Sequence, residues 1–280
     1  MKHTKAQADA GAGEGKQQPV LKVRSSRKLK SIYTHTNPGI LVKQSINSPN
    51  PYLCAMEQKK HDLLDIIHLI YVMDPMCSWC YGFAPVIRQL VAEQEGKMQF
   101  KFVMGGLRPG TEKPLEEQMK EGIKQHWQDV EKITEQPFDY TFFERTDFVY
   151  DTEPSCRAVV TMRYLKPEHE FDMARAVQSA FYAKNNDVTK PEVLASIATA
   201  FGVEEESFLE KYNSEEMKEK TQQDFTIARH LQATAFPSLY LLNGTSIHLI
   251  SRGYRPYDGM KAHLERVLQQ LAPDQHPSAE

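Results

Sequence analysis

The sequence predicts an α/β fold: a strand, helix, strand unit, an all-helical insertion over residues 114–232, and then two strands with a closing helix. Three patterns carry this prediction. An apolar run from Ile66 to Met73 stops at Asp74-Pro75 and leads into a helical stretch and an alternating second strand. The long middle of the chain has helical periodicity and no confident strand. Near the end, Ser238 to Leu242 and Ile247 to Ile250 flank Asn243-Gly244, the strongest short hairpin signal.

Element by element, residues 1–60 come first and read differently from the rest. They are rich in Lys, Ser, Gln, Asn and Gly without sustained periodicity, which suits a disordered basic extension. Residues 1–50 hold nine Lys/Arg against two acids, Asp9 and Glu14, leaving 25 Lys/Arg against 35 Asp/Glu elsewhere. No apolar stretch there matches a secretory signal, and the lysine-rich segment Lys16 to Lys43 lacks the amphipathic helix of a mitochondrial presequence. Met56-Glu57-Gln58-Lys59-Lys60 resembles an ordinary cytosolic start, so Met56 is an alternative beginning. Residues 61–113 form the first α/β half: a strand from Ile66 buried on both faces, a helix from about Cys77 to Gln94 ended by Gly96, and a strand from Met98 to Met104. A crossover of that length makes the two strands parallel neighbours. Helices are then expected over 114–131, 155–164, 170–183, 191–201, 204–212 and 215–231. Residues 233–272 supply the hairpin and a last helix from Tyr257 to Leu271, and 273–280 is a frayed tail.

Composition narrows the function classes. A formal net charge of −3 leaves no electrostatic footprint for nucleic acid. No apolar run approaches the ~18 to 20 residues that a membrane span needs, so neither partner is expected. Four cysteines with no export signal argue against a structural disulfide framework and for a cytoplasmic setting. In that setting Cys77-Ser78-Trp79-Cys80 is catalytic or metal-binding, and zinc lacks its second ligand pair, so no metal is expected.

The position of this motif carries the chemistry. A thiol at a helix start meets unpaired backbone N–H groups and the positive end of the helix dipole, which favour its thiolate. Cys80, one helical turn on, can close a short disulfide with it and open it again.

The phrase Asp74-Pro75-Met76-Cys77-Ser78-Trp79-Cys80-Tyr81-Gly82-Phe83 resembles a motif of bacterial DsbA-like proteins described as disulfide isomerases. Gly105-Gly106-Leu107-Arg108-Pro109-Gly110 and Thr152-Glu153-Pro154-Ser155-Cys156-Arg157-Ala158 are similar to phrases of that group. The likeness runs from about Ile66 to Leu271 and rests on these phrases occurring in order. It implies a thioredoxin-like sheet interrupted by the helical insertion. It also implies a thiol–disulfide oxidoreductase in which Cys77 attacks and Cys80 resolves a mixed disulfide with protein or small-molecule thiols. No bound cofactor is implied beyond the redox pair, with glutathione as a candidate co-substrate. Ser78 and Trp79 place no ring cation between the cysteines, which leaves the oxidising power open.

In the same resemblance Ala235-Phe236-Pro237-Ser238 is the loop whose cis proline faces the active cysteine, so that Phe236 offers its backbone to an extended client. The plain alternative is a trans proline starting a strand. Trp79 reads either as a client-facing rim or as core packing, and Asp74 as a proton relay to Cys80 or the start of a turn. Arg108 and Arg157 could hold a carboxylate such as that of glutathione or be paired at the surface. Cys156 reads as a buried inert thiol, and Cys54 has no expected role. A second function also fits the architecture: hydroxychromene carboxylate isomerases and kappa-class glutathione transferases share it and use Ser or a similar residue at the Cys77 position. A third is a client-binding adaptor without turnover. The intact cysteine pair favours the oxidoreductase.

Overall fold

The structure, a computed structural model, describes residues 67–271 and the backbone of 21–22. Ile66, Cys54, Met56 and the tail 273–280 lie outside the described residues, as does most of the basic extension. Among the described residues, five strands form one sheet in the order β1-β5-β4-β2-β3. They are β1 (Leu21–Lys22), β2 (His68–Met73), β3 (Gln99–Met104), β4 (Ser238–Asn243) and β5 (Ser246–Arg252). β2 and β3 are parallel, with Tyr71 opposite Phe102, and β2 runs antiparallel to β4. β1 was not expected, since the extension shows no strand pattern. Two residues pairing with Ser246 and Ile247 are too few to leave a periodicity in sequence.

β2 is buried on both faces, as its unbroken apolar run requires. Leu69, Tyr71 and Met73 enter the main core, whereas Ile70 and Val72 join Val103, Ala228 and Tyr240 on the other side. α1 (Ser78–Glu93) follows β2 directly, and Pro85 lies inside it without ending it. The insertion holds α2 (Glu117–Thr134), α3 (Glu153–Leu165), α4 (Glu170–Tyr182), α5 (Pro191–Thr199), α6 (Glu205–Asn213) and α7 (Glu215–His230). α8 (Tyr257–Leu271) closes the fold.

Boundaries differ from expectation where long-range pairing intervenes. α2 starts at Glu117 rather than at residue 114, because Pro114 bridges to Val149 and the Leu115 N–H donates to the Phe148 carbonyl at 3.1 Å. α3 starts at Glu153 rather than at residue 155, with Pro154 in its first turn, where a missing N–H costs nothing. The hairpin turn is Gly244-Thr245, since Asn243 is still paired with Ser246. Gly244 takes φ +58°, a left-handed conformation that glycine adopts without strain.

Trp127 on α2 sits at the centre of the insertion, fully buried. Its ring centroid lies 5.0 Å from Phe142, 5.1 Å from Tyr182 and 4.8 Å from Phe143. The free edge of β3 is sealed from the same side. The Asp224 carboxylate of α7 accepts from the Met104 N–H at 2.9 Å, and Arg163 of α3 donates to the Phe102 carbonyl at 3.2 Å. An edge strand's unpaired groups are thus satisfied by the helices that cover it.

Candidate active site

The junction of β2 and α1 is built by one turn. The Cys77 N–H donates to the Asp74 carbonyl at 3.1 Å, and Cys77 becomes the N-cap of α1 with extended backbone, φ −97° and ψ 116°. No side chain caps this helix and no acid lies in its first turn, so nothing offsets the positive end of the helix dipole at Cys77. Cys80 follows one turn later and is fully buried, whereas Cys77 keeps 7% of its surface exposed.

The distant segment at the start of β4 meets this turn. The Phe236–Pro237 bond is cis, and the Cys77 thiol donates to the Phe236 carbonyl at 3.6 Å. Phe236 is half-buried and Pro237 is buried. Gly105, just past β3, makes room for the Phe236 ring: a Cβ there would stand 2.3 Å from two ring carbons.

Beneath the pair lies Asp74, fully buried. Its carboxylate accepts from the backbone N–H of Met76 at 2.8 Å and of Leu107 at 2.6 Å, and from the Cys156 thiol at 3.5 Å. Burial raises the Asp74 carboxyl above its ordinary range, against the pull of these donors. The turn and the buried carboxyl beside the thiols therefore coexist in one residue. Burial pushes the Cys80 thiol well up, helped by the Cys77 sulfur and partly countered by the Asp74 backbone N–H. Burial does the same to Cys156. All three cysteines among the described residues are free thiols.

Three other residues singled out from the sequence make their contacts away from the sulfurs. Trp79 is half-buried and packs its ring 5.9 Å from Tyr254. Arg157 pairs with Glu153 at 3.0 Å and covers the Tyr212 ring at 4.2 Å, which makes it half of a largely buried ion pair within α3. Arg108 lies over the Tyr150 ring at 5.8 Å, near the turn but without a contact to either cysteine of the pair.

Sequence reasoning missed the tyrosines that surround the pair. Tyr150 donates to the Met76 carbonyl at 2.7 Å and so fixes the residue before Cys77. Tyr182 stacks on Tyr81 of α1 at 4.9 Å, and Tyr71 rises from the middle of β2. Nothing in their spacing distinguishes them from ordinary core aromatics. Among the described residues no group of three or more His, Cys, Asp or Glu is arranged to hold a metal ion, and no helix is long and apolar enough to cross a membrane.

Comparison with known proteins follows the same lines. A family model described as Thioredoxin matches residues 70–262. A crystal structure of a candidate protein disulfide isomerase from Nitrosomonas europaea is 37% identical, with a TM-score of 0.68, and covers 73% of this chain and 98% of its own. The cytosolic disulfide reductase DsbM from Pseudomonas aeruginosa, at 23% identity, shares the fold with a TM-score of 0.60 over 72% of this chain and 99% of its own. Among curated proteins, the ClpXP adapter protein SpxH of Halalkalibacterium halodurans is 21% identical over 193 residues, 67% of this chain. The match spans 61% of that relative's length.

Proposed function

This chain belongs to the thioredoxin family, and on that premise we propose that it is a thiol–disulfide oxidoreductase. Cys77 and Cys80 cycle between dithiol and disulfide through a mixed disulfide with protein or small-molecule partners, glutathione among them, in a cytoplasmic setting. One observation carries the reading: the Cys77 sulfur sits at an uncapped helix start, against the backbone carbonyl of Phe236, with a buried second thiol one turn behind.

The cycle follows from those positions. A Cys77 thiolate attacks a client disulfide, the bond between Cys77 and the first client sulfur forms, and the second client sulfur leaves as a thiolate that takes a proton from water. Cys80 then gives up its proton and attacks Cys77, which closes the Cys77–Cys80 disulfide and releases the first client sulfur. Two electrons have passed from the protein to the client, and the reverse sequence oxidises a client dithiol. Phe236 and Pro237 border the sulfur from the β4 side, where an extended client would lie along the backbone. Trp79, on the Tyr254 side, is the proposed apolar border of the same groove.

Removing the resolver tests this. Cys80→Ser should accumulate a mixed disulfide through Cys77 with glutathione or a client peptide, visible as a mass adduct that dithiothreitol removes. An adaptor without turnover would form no adduct, and a glutathione-dependent isomerase would keep its turnover in the variant. Either result would defeat the proposal.

A further inference from the structure

Tyr71 stands in the middle of β2, 1% exposed, on the face that meets α1. Its ring lies 5.8 Å from Phe83, three residues beyond Cys80 and on the same side of that helix. Its hydroxyl is buried and makes no well-aligned hydrogen bond, although the Cys80 thiol is within its reach, an arrangement that native interiors avoid unless the group has a use. Burial, reinforced by the two sulfurs, holds the phenol protonated far above neutrality. A neutral thiol is a weak acceptor, but a thiolate is a strong one.

Resting on the function proposed above, we infer that Tyr71 is a hydrogen-bond donor reserved for the Cys80 thiolate, engaging the resolving sulfur only while that sulfur is charged. The surroundings make such a donor necessary. The Asp74 carboxyl in the turn opposes negative charge on Cys80, as does the Cys77 sulfur until it is bonded to a client, and the Asp74 backbone N–H is the other donor that favours it. From α4, Arg175 adds positive charge toward Tyr71 and Tyr81. Its guanidinium lies 5.9 Å from the Tyr81 ring, with one nitrogen buried and unpartnered. In resolution Cys80 releases its proton to solvent base, and its electron pair attacks the Cys77 sulfur. The Cys77–Cys80 bond forms as the bond to the client sulfur breaks, and the departing thiolate takes up a proton. The Tyr71 hydrogen bond strengthens as charge develops on Cys80, so it lowers the barrier without stabilising the resting thiol.

Stopped-flow reaction of the reduced full chain with 5,5′-dithiobis(2-nitrobenzoate) separates the steps, because Cys77 attack and Cys80 resolution each release one coloured thiolate. In a Cys54→Ser background, with Cys156 fully buried, the chain should release two equivalents of thiolate, and at saturating reagent the second appears as a phase whose rate does not depend on reagent concentration. Release of a single equivalent would defeat the oxidoreductase reading itself. With two phases present, Tyr71→Phe should leave the first unchanged, slow the second by about tenfold and move its pH midpoint up by about one unit, the shift that matches a tenfold effect. A second phase with wild-type rate and pH profile would overturn the inference. Should the phenylalanine variant not fold, 3-fluorotyrosine at position 71, a stronger donor of nearly the same shape, decides instead: the midpoint should move down, and an unmoved midpoint would overturn the inference equally.

Discussion

At the scale of single residues, the pair depends on groups chosen for what they leave room for. Gly105 carries no positive φ, so only space demands a glycine there, and that space is filled by the tip of the Phe236 ring. A methyl at 105 collides with a ring end that can swing aside rather than with backbone, so the stability cost should be at the low end for overpacking, about 1 kcal/mol. The chemical effect should be larger, because the residue that moves is the one whose carbonyl accepts from Cys77. Gly105→Ala is expected to change the iodoacetamide alkylation rate of Cys77 several-fold in the wild-type background and not in Phe236→Ala, a double-mutant cycle that isolates the contact. Equal changes in both backgrounds would show that Phe236 does not transmit the effect. Only part of this was legible beforehand. Cys77, Cys80, Phe236 and Pro237 were singled out from motif and order, whereas Gly105 entered only as part of the phrase Gly105 to Gly110, with no role of its own.

At the scale of elements, the helical insertion is fastened to the sheet by a charged cluster. Arg163 donates to both Asp224 oxygens, at 3.0 and 2.8 Å, and to Glu170 at 2.6 Å. One guanidinium thus serves two carboxylates. Because its charge is shared, burial outweighs its pull on Glu170, whose carboxyl is raised to about 7 from its ordinary 4.5. Between those two values the unfolded chain releases a proton that the folded chain keeps, so this group's contribution to stability falls as pH rises through that window and levels off above it. Urea midpoints measured from pH 4.5 to 7.5 should show the decline in wild type and a flatter profile in Glu170→Gln. An identical slope in the variant would assign the decline to other groups. Periodicity located the helices carrying these residues, but their pairing across 61 residues of chain between Arg163 and Asp224 has no local signature.

At the scale of the whole molecule, sheet and insertion share one core. A single cluster of buried side chains runs from Leu69 of β2 through Trp127 of α2 to Leu241 of β4 and Val267 of α8. Elements that bury the same surface cannot easily unfold separately. Thermal unfolding of the full chain should therefore show one transition, and Trp127→Ala and Leu241→Ala should both lower its midpoint, each costing roughly 2–5 kcal/mol as for other large-to-alanine core changes. Two transitions, with each substitution moving only one, would show that the insertion is an independent unit. The sequence by itself determined what repeats or stands side by side: the doubly buried strand, the helical periods, the hairpin and a cysteine pair at a strand-to-helix junction. Only the tertiary structure decided what meets the pair. The Phe236 carbonyl arrives from 159 residues away, Leu107 reaches Asp74 across 33, and Tyr71 packs against Phe83 of α1 because of which face β2 turns toward that helix. Local backbone preferences act over a few residues and leave a pattern in the chain. Contacts between distant segments follow from how the buried faces pack together, and no short stretch of sequence records that.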